Sequence, residues 1–390
     1  MYRFFFLFLA LSVINLIADP AASQTPSFHS KKLFASGEGG YHTFRIPSLV
    51  AARGNVLLAF CEGRVNSNHD FGNIDIVMKR SSDHGKTWNE IEPIVHAGKG
   101  VWGNPTSVYD EKTKTVFLFI SSNAEMTAQF GDRPNITDDD GYEKIDDWGE
   151  RRLWMLKSTD NGDSWTKPVD LTKEFVPRSY VWDAVGPGQG IQKALEPNKG
   201  RLIIPALGRN LFSDDHGRSW QMKMLPSGTS ESSIVEKKSG ELMRNDRAVG
   251  NNKLFKRRMT SHRADGRFWS QFAPDMELTG PVSHASILRY TYAPSRILFL
   301  NTANERLRRD LTLRMSYDEG ASWPINRKLE LFNNNTERHG GYTSLIKTND
   351  YRVAFLYEYN EDVSDRDGGI SIVFGKLNLG WVLTDMEETN

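Results

Sequence analysis

The chain has 390 residues, with 49 basic and 49 acidic side chains and a formal net charge of zero. That balance gives no reason to expect nucleic acid or an anionic membrane surface as a partner. A single cysteine, Cys61, excludes an internal disulfide, so the fold must be held by packing. Length alone fits two or three domains, but all-β barrels and propellers of this size form one unit.

The N-terminus reads as a secretory signal. Tyr2-Arg3 is a short positive start, and Phe4 to Ala18 is an apolar run of 15 residues, too short for a comfortable membrane span. Ala18, Ala21, Ala22 and Ser23 offer small residues for cleavage, so residues 1–23 are expected to be removed and 24–390 to form one domain, secreted or periplasmic. An uncleaved anchor is the alternative. No later segment is long and apolar enough to span a bilayer, so no stable membrane insertion is expected.

Tyr41-His42-Thr43-Phe44-Arg45-Ile46-Pro47-Ser48-Leu49 places one arginine inside an apolar, strand-like run. A strand would turn Arg45 away from both Phe44 and Ile46. A guanidinium on the inner face of a sheet is costly unless it is paired, and its planar fork suits a carboxylate. Pro47 limits ladder pairing and predicts a strand end or bulge here. Cys61 follows in the run Val56 to Phe60 and reads as a buried small hydrophobe. The next stretch, Glu62 to Gly72, is polar and glycine-bounded, with Asp70 near its end and Asp75 in the strand-like run that follows.

An internal repeat organises the rest. Four octamers follow Ser-x-Asp-x-Gly-x-(Ser/Thr)-Trp, starting at Ser81, Ser158, Ser213 and Ser316, with aspartates Asp83, Asp160, Asp215 and Asp318. The last gap is about twice the middle one, and a worn copy at Ser261 to Trp269, with Asp265-Gly266, fills it. Each octamer has the chemistry of a tight turn: Asp and Ser or Thr bond nearby backbone groups, Gly supplies a left-handed conformation, and Trp brings a ring to bury. A period near 50 residues with several short strands per unit fits a β-propeller blade. The turns plus a closing segment after position 340, with strands at Thr343 to Ile346, Val353 to Tyr357 and Ile370 to Phe374, predict an all-β six-bladed β-propeller. Equivalent copies around a ring cannot all face one central site, so the repeated aspartates read as structural.

The segment Asn123 to Glu150 lengthens the first gap and carries Asp138-Asp139-Asp140 and Asp146-Asp147. It reads as a solvated surface excursion, the alternative being a rim loop that tunes ligand entry. It lacks the spacing of an EF-hand calcium loop. Sequons occur at Asn135-Ile136-Thr137 and Asn334-Asn335-Thr336. Trp182 to Gln192 is glycine-rich but lacks the Gly-Lys-Ser/Thr of a phosphate loop.

Taken together, the Phe-Arg-Ile-Pro stretch at Arg45 and the octamers, which match Asp boxes, resemble the retaining sialidases (exo-α-neuraminidases). The likeness runs from about residue 33 to 377. It implies a six-bladed propeller with a funnel-shaped site on its axis. The expected partners are sialylated glycans (glycoproteins, glycolipids and oligosaccharides), with no cofactor and no metal. A sialic acid bears a carboxylate on its anomeric carbon, and arginines are the physical means of holding it. The family uses three: Arg45 matches the first, Arg247 the second with Arg244 as rival, and Arg308 the third with Arg309 as rival. Arg64 resembles a further arginine near the sugar's 4-position. Tyr342, in Gly340-Gly341-Tyr342, matches the family's nucleophile, Glu231 the glutamate that takes its proton, and Asp70 the general acid and base, with Asp75 as rival. A neutral phenol avoids the repulsion that a carboxylate nucleophile would meet at a carbon bearing a carboxylate. The glycine-rich segment resembles a piece of funnel wall, with Gln192 a candidate sugar contact, and His69 is expected to face solvent. A transferase or intramolecular trans-sialidase on the same fold would keep every residue named. A binding propeller without turnover should have lost the tyrosine, glutamate or acid.

Overall fold

The computed structural model describes residues 24–96, 98–129, 143–228, 230–247, 257–263, 268–329, 339–362 and 367–384. The proposed leader, both sequons, Asp138 to Asp140 and the Asp265-Gly266 pair lie outside these residues.

Six antiparallel four-stranded units follow one another along the chain. The first is Thr43–Ala51, Leu57–Arg64, Ile74–Ser81 and Glu92–Val95. The second is Val101–Asp110, Thr115–Asn123, Arg152–Ser158 and Val169–Asp170, joined to the first through one parallel pairing of Ile74 with Val101. The third is Ile191–Gln192, Leu202–Ala206, Arg209–Ser213 and Gln221–Met224. The fourth is Ser232–Glu236, Leu242–Asp246, Arg257–Arg263 and Ala273–Thr279, and the fifth Ser286–Tyr292, Ser295–Thr302, Leu311–Ser316 and Ile325–Lys328. The sixth takes His339–Lys347, Val353–Asn360 and Ile370–Leu377 from the C-terminal part and Phe28–Phe34 from the N-terminal part. The expected six-bladed propeller is thus observed, and the one strand of the closing blade not read from sequence is N-terminal. Its register runs from Phe28 opposite Leu377 to Phe34 opposite Ile372. That pairing covers the edge that the last blade would otherwise leave open.

The four full octamers each follow the third strand of a blade. In the first, the Ser81 hydroxyl accepts the Gly85 N–H at 2.8 Å, and Asp83 accepts the Thr87 N–H at 2.9 Å. The same serine-to-glycine bond recurs at Gly162, Gly217 and Gly320, each at 2.8 Å. The aspartates therefore act within their own turns, in keeping with a structural reading. The tryptophans wedge neighbouring blades together. Trp88 meets Phe374 edge-on at 5.2 Å, Trp165 meets Phe60 at 5.5 Å and Trp220 meets Phe119 at 4.8 Å, each partner lying in the preceding blade of the ring. Aliphatic and aromatic side chains from adjacent blades fill the space between, as where Leu49, Leu57 and Val77 pack on Leu356 and Phe374. Cys61 is buried in that layer as a free thiol, and burial pushes its pKa well up. No helix among the described residues is long and apolar enough to cross a membrane.

Candidate active site

Polar side chains gather at one end of the inner strands. Arg45 lies near the start of the first blade's inner strand, and Tyr342 near the start of the sixth's. Glu231 immediately precedes the fourth blade's inner strand, and Arg247 follows that blade's second strand. Asp70 and Arg308 sit in connections between second and third strands, in the first and fifth blades. Residues from four blades, the first, fourth, fifth and sixth, are thereby brought to one recess.

The expected bulge at Pro47 is present. Register with the neighbouring strand shifts between Arg45 and Ser48, and Ile46 takes a left-handed φ of 58°. The freed Ile46 N–H donates at 2.9 Å to Glu358, which also accepts from Arg45 Nε at 3.1 Å and from the Tyr342 N–H at 3.2 Å. Glu358 is fully buried. It is the carboxylate that the guanidinium in an apolar strand required, and the sequence reading missed it. The available signal was an acid at an alternating position of the strand-like run from Val353, the mirror image of the signal at Arg45.

Tyr342 is at the centre. Its hydroxyl donates to Glu231 in a short hydrogen bond and accepts from Arg247 Nη1 at 2.8 Å. Arg247 also donates to Glu231 at 2.6 Å. The guanidiniums of Arg45 and Arg308 each lie 5.3 Å from the centre of the phenol ring. Gly341, at φ 108°, allows this approach: a Cβ there would stand 2.6 Å from Arg308 Cδ. Burial and the Glu231 charge push the Tyr342 pKa up, opposed by Arg247, Arg308 and Arg45. Burial also pushes Glu231 upward, but Arg247 and the tyrosine hydrogen bond outweigh it and hold the carboxyl below its ordinary range.

Asp70 faces the same recess, with its side chain 68% exposed. It lies 3.2 Å from Arg45 Nη1 and 2.9 Å from Arg64 Nη2. Desolvation in the recess favours its neutral form, but Arg64 and Arg45 outweigh that and hold it well below the usual carboxylate range. Arg64 is nearly inaccessible, and its three nitrogens are all engaged: with Glu62 at 2.6 and 3.1 Å, with Asp70, and with the carbonyls of Asn68 and His69 at 2.5 and 2.7 Å. Arg64, compared above with an arginine near the sugar's 4-position, thus also holds the Asp70 loop in place.

Both rival arginines are elsewhere. Arg244 is fully buried against Asp246, Asn210 and the Ala206 carbonyl. Arg309 turns to Asp310, at 3.6 Å. Asp75, the rival acid, is buried and accepts from Tyr41 at 2.9 Å and His96 at 2.7 Å. Two expectations are corrected. Gln192 bonds Asp110 and the Gly200 carbonyl and borders a cavity of about 950 Å³ at the opposite ends of the inner strands, so it is not a contact of this recess. Its short strand points it away from the site end. His69 does not face open solvent: its ring stacks on Phe71 at 5.0 Å, with Asp367 at 3.9 Å. In the long excursion, Asp146, Asp147 and Glu150 cluster at the surface, where Glu150 accepts the backbone N–H groups of the other two.

Residues 54–357 match the BNR repeat-like domain family. The chain is similar to an exo-alpha-sialidase of Aspergillus fumigatus, at 38% identity over 97% of this chain and 98% of that one. It is similar to an exo-alpha-sialidase of Arthroderma benhamiae at 36% identity over 93% and 90% of the two chains. Among solved structures, the Hadza microbial sialidase Hz136 aligns with a TM-score of 0.72 at 25% identity, covering 90% of this chain and 68% of that one. An intramolecular trans-sialidase from Ruminococcus gnavus aligns with a TM-score of 0.75 at 18% identity, over 92% and 99% of the chains, a likeness of fold.

Proposed function

The chain belongs to the sialidase family of glycoside hydrolases, and from that premise we propose that it removes terminal α-linked sialic acids from glycans with retention, using Tyr342 as nucleophile. The observation that carries the reading is the triple contact of the Tyr342 hydroxyl, Glu231 and Arg247 beside Arg45 and Arg308.

Arg45, Arg247 and Arg308 receive the substrate carboxylate, each offering charge-assisted N–H donors. Bound there, the anomeric carbon lies over the phenol. Asp70 gives its proton to the departing glycosidic oxygen as that bond breaks. The Tyr342 oxygen forms the new bond to the anomeric carbon while Glu231 takes the phenolic proton. In the second half Asp70, now a carboxylate, takes a proton from water, whose oxygen bonds the anomeric carbon. The tyrosine–sugar bond breaks and Glu231 returns the proton to the phenol.

A general acid needs its proton, and two guanidiniums stabilise Asp70 without one. The substrate resolves this conflict. Its carboxylate occupies Arg45 and adds a negative charge nearby, and both effects favour the protonated acid. Export follows the N-terminal signal pattern, a further part of the proposal that N-terminal sequencing of the mature protein checks.

The test is release of free sialic acid from a fluorogenic sialoside, run beside Asp70→Ala, with proton NMR following which anomer appears first. Prompt release of the α-anomer by the native enzyme alone is expected. The β-anomer as first product, or equal rates in both proteins, would overturn the mechanism. A product lacking the elements of water would instead mark an intramolecular transfer.

A further inference from the structure

Beneath Tyr342 lies a histidine that the mechanism above does not use. His284 stands two residues before the fifth blade's inner strand and is 1% exposed. Its Nδ1 is 3.0 Å from the Thr343 carbonyl oxygen and its Nε2 is 3.4 Å from the Ser232 carbonyl oxygen. Those carbonyls belong to the residues after Tyr342 and after Glu231, so one ring spans the two strands that carry the phenol and its base. The ring also lies 5.9 Å from that of Tyr342, tilted by 36°. From the segment leading into the third blade, Gly188 closes over it: at φ 100° a Cβ would stand 3.2 Å from His284 Cε1. This close approach gives the glycine-rich segment a physical purpose.

A neutral imidazole has one N–H and one lone pair. Between two carbonyl oxygens, the neutral ring would turn its lone pair towards one of them. A protonated ring donates to both. Among the described residues, Tyr342 from the sixth blade and Glu231 from the fourth are titratable groups close to the ring. The Glu231 carboxylate interacts favourably with a charged His284. The segment before the third blade offers backbone, and the strand that follows the histidine offers the Ser286 hydroxyl, which donates to the same Thr343 carbonyl at 2.7 Å.

We propose that His284 is a positioning residue, held as an imidazolium whose two N–H groups tie the backbone behind the nucleophile to the backbone behind its base. The inference rests on the assignment of Tyr342 and Glu231 as that pair. The clamp fixes their separation from below, where a shift of about 1 Å is enough to cost roughly 10²-fold in rate. The buried cation also favours the negative charge that Glu231 carries before it takes the proton and that the phenol oxygen gains as it loses it.

The test uses the whole enzyme and two readouts. Nitrogen-15 shifts of labelled histidine, read without substrate, report whether both ring nitrogens carry protons. Rates against pH are measured for the native enzyme, His284→Gln and His284→Leu. The proposal expects two protonated nitrogens throughout the active range. It expects a loss in kcat of about 10-fold for His284→Gln and about 10²-fold for His284→Leu, with KM within about 2-fold. A Gln amide does not titrate, so the alkaline fall in kcat that comes from losing the imidazolium should disappear in that variant. A ring with one bare nitrogen in an active enzyme, or a Gln variant with an unchanged pH profile, would overturn it. A doubly protonated ring in a protein inactive on every sialoside would instead overturn the functional reading on which the inference rests.

Discussion

Glu358 holds the backbone N–H of Tyr342 at 3.2 Å with the same carboxylate that pairs with Arg45. One buried acid thus sets both the first arginine of the recess and the main chain that aims the phenol. Removing it by Glu358→Ala leaves the buried Arg45 without its principal anion. Loss of one partner of such a pair costs about 3–5 kcal/mol, or roughly a 5–15 °C fall in Tm. Glu358→Gln keeps the shape but has one acceptor oxygen where two are used, so it should retain more of the fold and still lose most turnover. Calorimetry and sialoside kinetics on the two variants check this, and a Glu358→Gln enzyme with native kcat would refute it.

Tyr342→Phe keeps the ring between Arg45 and Arg308 and removes only the oxygen that meets Glu231 and Arg247. The fold should be preserved, with kcat reduced by ~10³-fold or more, as loss of a nucleophile demands. Residual turnover should shift from retention towards inversion, as water attacks directly. Anomer-resolved NMR on the variant decides the matter, and native rates would rule out the tyrosine as nucleophile.

Arg308 and Arg309 are adjacent in sequence but face different partners. Arg308 lies over the Tyr342 ring, whereas Arg309 turns to Asp310. Losing a charge-assisted contact to the substrate carboxylate costs about 1.5–3 kcal/mol. Arg308→Ala should therefore raise KM by roughly 10- to 100-fold, while Arg309→Ala should change it by about 2-fold or less. Binding of a carboxylate-bearing analogue, measured by titration calorimetry, separates the two. Equal losses would contradict the geometric choice.

What the sequence revealed was mostly local. The octamers close their own hydrogen bonds within a few residues, so their spacing, with the worn copy and the closing strands, counted the blades. Pro47, two residues after Arg45, signalled the bulge for the same reason. What it concealed was set by contacts across the ring. Arg45 and Glu358 are separated by 313 residues, and no local pattern couples them. The choice between Arg308 and Arg309 falls in an irregular connection, where alternation carries no information and the close approach at Gly341 decides. Gln192 was misassigned because a glycine-rich segment specifies a tight path without saying which end of the channel it reaches.

The repeated aspartates give a contrasting test. Asp160 binds the Ser164 N–H at 3.0 Å and the hydroxyls of Ser158 and Ser164, all within its own turn. Asp160→Ala should lower Tm by only ~1–3 °C, because the turn is exposed and the other copies are intact. Its kcat and KM should match the native values. A loss of turnover without a loss of stability would give these aspartates a catalytic role and overturn the structural reading.

Asp70 makes a prediction about protons. In the free enzyme, desolvation raises its pKa but Arg64 and Arg45 lower it further, so it is ionised at about pH 5, above the ordinary aspartate range. A ligand carboxylate on Arg45 weakens one of those contacts and brings a second negative charge, and both raise the pKa. Binding at that pH should therefore take up a proton, approaching one per ligand as the bound pKa passes the working pH. The enthalpy of binding a non-hydrolysable sialic acid analogue should then depend on the ionisation enthalpy of the buffer. Asp70→Asn, which cannot titrate, should abolish that dependence while leaving Arg45, Arg247 and Arg308 able to bind. An analogue with a neutral amide in place of the carboxylate should bind weakly and take up no proton. Identical native enthalpies across buffers would show that Asp70 acquires its proton by another route.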